Sequence, residues 1–205
     1  NRNTPLEALP IDVKGQRVVV LGGGDVAMDC LRTAVRGGAA DVVCVYRRNE
    51  ASLPANPHEY QNAREEGARF EFLAVPLEVL DDGTGRVAAV RCARTRLVEP
   101  DANGRPQPEP VPGSEFEVPG DVVLVALGFV SAPFAAQGDL DAIALSSDGR
   151  VIVDRNLMTN IPGVFAGGTL VRGASAFLDA VRDARKAAVA IQKYVEAKKI
   201  KKVTA

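Results

Sequence analysis

The 205-residue sequence contains no tryptophan, one histidine and three cysteines, and its formal net charge at pH 7 is −1. This charge gives no long-range attraction to nucleic acid or to an anionic membrane surface. No apolar run approaches the roughly 18 residues of a membrane-spanning helix, and the first residues do not form a signal-peptide pattern. We therefore expect a cytoplasmic protein that binds neither nucleic acid nor a membrane.

Residues that could carry acid–base or nucleophilic catalysis are also scarce. Cys30, Cys44 and Cys92 lie too far apart for a CxxC pair or a metal knuckle, so buried thiols in a reducing compartment are expected. The single histidine, His58, falls in the first turn of a predicted helix, and no serine lies near it in a hydrolase pattern. The sequence indicates neither a catalytic constellation nor a metal site.

What the sequence does contain is a strand–helix–strand unit near its start. Residues 17–21 are an apolar run typical of a strand that is buried on both faces of a parallel sheet. Residues 25–36 carry apolar side chains at helical spacing and end at Gly37-Gly38, and residues 42–46 form a second buried strand. This βαβ pattern predicts an α/β fold with a Rossmann-like dinucleotide-binding domain and a parallel sheet.

Beyond this unit the pattern predicts an antiparallel β-ribbon and a long final helix. The predicted elements are a helix with Asn56 as N-cap, Pro57 as first residue and Glu59 completing a capping box, a strand at 69–75, the ribbon from Pro76 to Pro119 with a proline-rich surface loop at 100–112, a buried strand at 121–127, short strands at 150–154 and 163–166, and a helix from Ala174 to about Ala197. An apolar face of the last helix, which includes Phe177, Val181 and Ile191, is expected to be buried.

The segment between the first strand and the first helix is the strongest motif, G-x-G-x-x-A. It consists of Gly22, Gly23, Gly24, Asp25, Val26 and Ala27. Gly22 allows a tight turn, Gly24 lets the backbone approach a pyrophosphate, and Ala27 lets the helix pack closely on the strand. The phosphates would lie at the helix N-terminus, where free N–H groups favour anions. The motif predicts dinucleotide binding.

The end of the second strand indicates which dinucleotide is bound. A domain that binds NAD usually places an acidic residue there, but this strand ends in Tyr46, Arg47 and Arg48. Two guanidinium groups suit the 2′-phosphate of NADPH, and Tyr46 or an arginine plane could stack on adenine. NADPH is therefore favoured over NADH; the alternative is that both arginines are solvated charges.

Several further segments, taken with the glycine motif, resemble a known family. They are residues 22–30 and 32–34, the strand end at 45–48, and the segments 53–55, 63–67, 126–129 and 161–168. The combination resembles the small (beta) subunit of NADPH-dependent glutamate synthase, a pyridine nucleotide-disulphide oxidoreductase-like flavoprotein, from about residue 5 to 195.

The resemblance implies an NADP-binding domain inserted into an FAD domain. Residues 1–12 would be a linker, 13–127 the NADP-binding domain, and 128–205 a small C-terminal segment of the FAD-domain fold that ends in the long helix. The resemblance assigns cofactor contacts in the last segment to Gly128, Gly167, Gly168, Thr169, Ala174 and Ser175. It also implies a larger oxidoreductase or iron–sulfur subunit as partner.

The sequence departs from the family pattern at two places. Thr169 stands where the family has an aspartate that bonds FAD, and Asp183-Ala184-Arg185 replaces an acid–glycine–arginine step. The family's first glycine motif for FAD and its iron–sulfur part would precede Asn1. The chain by itself is therefore expected to bind FAD poorly and to be inactive alone.

Three hypotheses for the function follow. The leading one is an electron-input module that binds NADPH and passes hydride to an FAD held partly elsewhere. The second is a non-catalytic dinucleotide-binding or docking module that cannot hold FAD by itself. The third, an NAD-dependent dehydrogenase acting on its own substrate, has no catalytic residues to support it.

Overall fold

The computed structural model describes residues 11–100, 104–129, 140, 142–173, 175 and 177–203. The chain divides into two compact units, Asn1–Gly128 and Phe129–Ala205, which are described separately below. Residues 1–10 of the predicted linker lie outside the described residues. The roles expected for the two parts, NADP(H) binding and completion of a flavin domain, stay predictions.

The first unit is built on a parallel sheet of four strands. The strands are β1 Arg17–Leu21, β2 Asp41–Tyr46, β3 Arg69–Phe72 and β7 Val122–Val125, and their order in the sheet is β3-β2-β1-β7. The helices α1 Asp25–Arg36 and α2 Pro57–Glu65 connect consecutive strands. The predicted bounds of β1 and α1 are confirmed, whereas β7 is shorter than the predicted strand at 121–127.

A second sheet is antiparallel and three-stranded. Its strands are β4 Ala74–Asp81, β5 Val87–Pro100 and β6 Pro106–Pro119, in the order β4-β5-β6. Val18 and Val20 of β1 belong to the core that contains the helices, while Val19 and Leu21 pack with residues of the antiparallel sheet. The parallel sheet is thus covered on both faces, which is why its strands are uniformly apolar.

The proline-rich segment forms a strand where we predicted a surface loop. Pro106, Pro108 and Pro110 lie in β6 and pair with β5, an edge position in the sheet. Because successive prolines are two residues apart, their missing N–H groups fall on the same side of the strand, and an edge strand needs pairing on the other side only. Residues 101–103 of the predicted loop lie outside the described residues.

Two details near α2 and β3 also differ from prediction. Asn56 caps α2 by accepting a hydrogen bond from the His58 N–H, but its own N–H donates to Asp25 at 2.7 Å, and Glu59 pairs with Arg32. The reciprocal bond of a capping box is therefore absent from this helix end, which the structure describes in full. The predicted strand at 69–75 is interrupted at Leu73, whose φ of 53° ends the parallel strand.

The second unit is described by turns, the short helix α3 Thr169–Arg172 and the long helix α4 Phe177–Val203. At 150–154 and 163–166 the structure shows single bridges, Leu145 to Val151 and Met158 to Phe165, instead of the predicted strands. The prediction of a buried apolar face on α4 is wrong for Phe177, which is 79% exposed, and for Ile191, which is 42% exposed. Among the described residues, no helix is long and apolar enough to cross a membrane.

Candidate functional site

The glycine loop turns sharply at the end of β1. Gly22 has a φ of 132°, and a Cβ there would overlap the carbonyl group of Ala126. Its N–H donates to the Val45 carbonyl at 3.1 Å, and its carbonyl accepts from the Cys44 thiol at 3.0 Å. The loop is therefore fixed to β2, and only glycine fits its first position.

Gly23 is restricted by two side chains, one at the end of β2 and one that follows it. A Cβ on Gly23 would lie 2.6 Å from Cδ2 of Tyr46 and 2.7 Å from Cδ2 of Leu53. Tyr46 is buried, and its hydroxyl donates to the Ser52 carbonyl at 2.7 Å. The Tyr46 ring thus packs against the glycine loop at Gly23. Because the ring is buried, it is poorly placed for the stacking on adenine that the sequence allows.

Gly24 differs from both neighbours because the space around it is open. Nothing lies within 4 Å of a Cβ built on Gly24, although its backbone, with φ −90° and ψ −178°, is the N-cap of α1. No side chain caps this helix end. Free N–H groups, the positive end of the helix dipole and open space together fit a phosphate.

The remaining residues of the motif lie in the first turn of α1. Ala27 is fully buried against the sheet, as the motif requires of a small residue, whereas Val26 is half exposed. Asp25 is exposed, and its carboxylate accepts the Asn56 N–H at 2.7 Å. That bond ties the N-terminus of α2 to the N-terminus of α1.

Arg47 and Arg48 follow β2 at the same edge of the sheet as the glycine loop, since β1 and β2 are parallel neighbours. Eight arginines in the described part of the first unit form ion pairs with carboxylates: Arg17, Arg32, Arg36, Arg64, Arg69, Arg91, Arg94 and Arg96. Within that same part, Arg47 and Arg48 form none. The charge of each is therefore not neutralised by a carboxylate of this part of the chain.

The two arginines differ in environment. Arg47 is exposed, whereas Arg48 is 8% exposed and its Nε donates to the Pro106 carbonyl at 2.7 Å. A guanidinium buried without a carboxylate is costly to desolvate, and a bound anion would offset that cost. The sequence pattern does not distinguish the two arginines, but in the structure Arg47 is the one whose side chain is accessible from solvent.

The predicted residues of the second unit form a separate local arrangement. Gly167 and Gly168 pack against α4, and the Gly168 N–H donates to Oδ2 of Asp183 at 3.0 Å. Arg172 holds the same carboxylate through Nε at 2.7 Å and Nη2 at 2.6 Å. This paired guanidinium lowers the pKa of Asp183 to about 2. Asp183, 1% exposed, thus braces the glycine turn.

The sequence analysis does not predict that Asp183 braces the glycine turn. A signal was available, because Ala180, Asp183, Ala187 and Tyr194 are spaced as one helical face, and an acid on such a face indicates a buried partner. Thr169 begins α3, Ser175 is exposed, and Ala174 lies outside the described residues.

Gly128, the remaining predicted residue, is the last residue of the first unit. It has a φ of 102°, and nothing lies within 4 Å of a Cβ built there. The structure therefore groups the predicted residues 22–27 and 46–48 at the ends of β1 and β2, and it places Gly167 and Gly168 against Asp183 and its helix. Their cofactor contacts stay predictions.

Comparison with known proteins finds relatives by sequence and structures of similar fold. The family described as pyridine nucleotide-disulphide oxidoreductase matches residues 3–193. The glutamate synthase [NADPH] small chain of Escherichia coli is 44% identical over 192 residues, which cover 91% of this chain and 40% of that protein. The NADP(+)-dependent formate dehydrogenase subunit beta of Moorella thermoacetica is 40% identical, covering 95% of this chain and 27% of that subunit.

Among solved structures, Mycobacterium tuberculosis FprA in complex with NADPH superposes with a TM-score of 0.72 at 18% identity, over 94% of this chain and 56% of that one. This likeness confirms the α/β fold class. The chain spans about two fifths of the length of the glutamate synthase small chain that it matches. The resemblance to that small subunit is confirmed, and the chain belongs to the pyridine nucleotide-disulphide oxidoreductase family.

Proposed function

We propose that this chain is the NADPH-binding part of a flavin-dependent oxidoreductase resembling the glutamate synthase small subunit. In this proposal the first unit binds NADPH and presents it for hydride transfer to FAD, from which electrons pass onward. The observation that carries the proposal is the open space at Gly24, at the same edge of the parallel sheet as two arginines that lack a carboxylate partner in the described part of the unit.

Each group of the loop has a distinct part in binding. The pyrophosphate would lie against Gly24 and the first turn of α1, where N–H groups donate to it. Gly22 and Gly23 set the turn, Ala27 allows the close packing, and the exposed Arg47 would pair with the 2′-phosphate. Arg48 adds positive charge behind Arg47. The names of the two relatives, which specify NADPH and NADP(+), support this choice of coenzyme.

The second unit would contribute to the flavin site. Gly167, Gly168, Thr169 and Ser175 are the proposed contacts there, with the turn held by Asp183. FAD, when bound, supplies the acceptor for the hydride. Thr169 offers a hydroxyl where the family resemblance expects a carboxylate, so we propose that FAD binding needs a further flavin-domain portion. A larger partner subunit is supported by the relatives' names, a small chain and a subunit beta.

Calorimetry of the purified chain with NADPH and with NADH tests the coenzyme assignment. Arg47→Ala should weaken NADPH binding about ten- to hundredfold, because a hydrogen bond to a charged group contributes roughly 1.5–3 kcal/mol, and should leave NADH nearly unchanged. Arg86→Ala is the matched control, since Arg86 is exposed in the turn between β4 and β5. Equal losses for both coenzymes would refute the 2′-phosphate assignment.

A non-catalytic dinucleotide-binding or docking module is the second candidate. Thr169 and Ala184, the departures from the family pattern, favour it. An absorbance spectrum of the chain, alone and with added FAD, separates the two candidates. Bound flavin that is bleached by NADPH supports the oxidoreductase, whereas a colourless chain that binds NADPH and no FAD supports the docking module.

A further inference from the structure

The antiparallel sheet fixes the backbone of the arginine pair at the end of β2. The Thr95 hydroxyl donates to the Arg47 carbonyl at 2.8 Å, and the Leu73 N–H donates to the Arg48 carbonyl at 3.0 Å. The Pro106 carbonyl accepts from Arg48 Nε at 2.7 Å. The antiparallel sheet that covers the parallel sheet therefore also fixes the backbone positions of the two arginines.

Thr95 reaches this position because β5 has an irregularity. Val90 and Cys92 are buried and Arg91 is exposed, so regular alternation would turn Thr95 toward solvent. The register between β5 and β6 shifts between Ala93 and Thr95, and after it Thr95 is 5% exposed. A β-bulge that re-aims a side chain beside a site is a recurrent device in sheets.

Leu73 ties the same groups together. Its N–H donates a hydrogen bond to the Arg48 carbonyl, and its own carbonyl accepts one from the Thr95 N–H at 2.8 Å. Leu73 has a φ of 53°, a left-handed backbone that a leucine rarely adopts. Such strain persists only where the surroundings over-determine it, and here it links Thr95 to the arginine pair.

We propose that Thr95 is a positioning residue that sets the preference of this chain for NADPH over NADH. It acts through the Arg47 carbonyl, whose position fixes the origin of the Arg47 side chain. NADPH differs from NADH only by the 2′-phosphate, so a displaced Arg47 affects NADPH and spares NADH. This inference rests on the proposed function, in which Arg47 binds that phosphate.

The test measures the dissociation constants of NADPH and NADH by calorimetry for the whole chain and two variants. Thr95→Val removes the hydroxyl at nearly constant volume and should weaken NADPH binding about two- to tenfold, the range expected for one neutral hydrogen bond. NADH binding should stay within about twofold. Thr95→Ser keeps the hydroxyl and should restore the wild-type ratio of the two constants.

The ratio distinguishes positioning from a merely structural role. Loss of folded protein lowers the apparent affinity for both coenzymes equally and leaves the ratio constant. An unchanged ratio in Thr95→Val, or equal losses for NADPH and NADH, would overturn the inference. If the valine variant does not fold, Thr95→Ala removes the same hydroxyl without adding a methyl group and is expected to lower the ratio in the same direction.

The outcomes for the inference and for the proposed function differ. A wild-type chain that binds neither coenzyme, or both equally, would overturn the proposed function and the inference with it. A wild-type chain that prefers NADPH, together with an unchanged ratio in the valine variant, would overturn the inference and leave the proposed function standing. Arg47→Ala combined with Thr95→Val should bind NADPH no more weakly than Arg47→Ala alone.

Discussion

Replacing Gly24 by alanine should separate coenzyme binding from stability. A Cβ at Gly24 meets nothing within 4 Å, and the φ of −90° is one that alanine adopts freely. Within the chain the substitution is therefore sterically harmless. The same methyl group would occupy the space in which a pyrophosphate approaches the backbone.

The expected effect on stability is small because two contributions oppose each other. Alanine is a poorer N-cap than glycine by about 0.5–1 kcal/mol, and it lowers the entropy of the unfolded chain by a similar amount. We expect the free energy of unfolding to change by less than about 0.5 kcal/mol. Binding should weaken about ten- to hundredfold for NADPH and NADH alike, since the pyrophosphate is common to both.

Gly23→Ala is the contrasting variant. Its Cβ would lie 2.6 Å from Cδ2 of Tyr46 and 2.7 Å from Cδ2 of Leu53, so side chains must shift. Overpacking of this kind costs about 1–3 kcal/mol, which corresponds to a fall in Tm of about 2–12 °C for a chain of this size. Gly24→Ala should have nearly the same Tm as the wild type.

Calorimetry with both coenzymes and thermal unfolding followed by circular dichroism provide the assay. The reasoning is refuted if Gly24→Ala binds NADPH as the wild type does, because the phosphate would then lie elsewhere. It is also refuted if Gly24→Ala is as destabilised as Gly23→Ala, because the space at Gly24 would then not be open.

Two further predictions concern groups away from the loop. Arg172 holds the pKa of Asp183 at about 2, below the ordinary 3.8. The stabilising contribution of the Asp183 carboxylate is therefore present above pH 3.8 and is lost as the pH falls through about 2. Hydrogen exchange of the Gly168 N–H should show less protection in Asp183→Asn, and equal protection would contradict the bracing role of Asp183. Cys30 is partly buried, whereas Cys44 and Cys92 are buried, so Cys30 should react with a thiol reagent at about pH 8 before the other two. Cys30→Ser should abolish that fast phase. A fast phase that persists in this variant would show that a buried thiol is accessible.

The strand–helix–strand unit could be predicted from the sequence because each element follows a local rule. β1 is a continuous apolar run, α1 has helical spacing, and Gly37 and Gly38 end the helix. These signals act within a few residues, so distant neighbours do not override them. The prediction for β6 failed because the tolerance of prolines in a strand depends on an edge position that only the arrangement of the sheet supplies.

The elements of the second unit, Phe129–Ala205, could be predicted less well for a related reason. Its short strands were inferred from apolar residues around a turn, but the structure pairs them by single bridges. On α4, the expected apolar face is exposed at Phe177 and Ile191, and the face that packs on the glycine turn contains Asp183. Asp183 is buried there because Arg172 and the Gly168 N–H satisfy its carboxylate, and that satisfaction depends on the folded turn.

The sequence by itself determined the glycine motif, its place between a strand and a helix, and the two arginines where a domain that binds NAD usually has an acid. The tertiary structure decided that Arg47 is exposed and Arg48 buried, that Tyr46 supports the loop, and that Thr95 holds the Arg47 carbonyl. The reason is the distance along the chain: the bonds from Thr95 and to Pro106 join residues 48 and 58 positions apart. Local patterns specify which groups are present, and only packing between distant segments specifies how they are oriented.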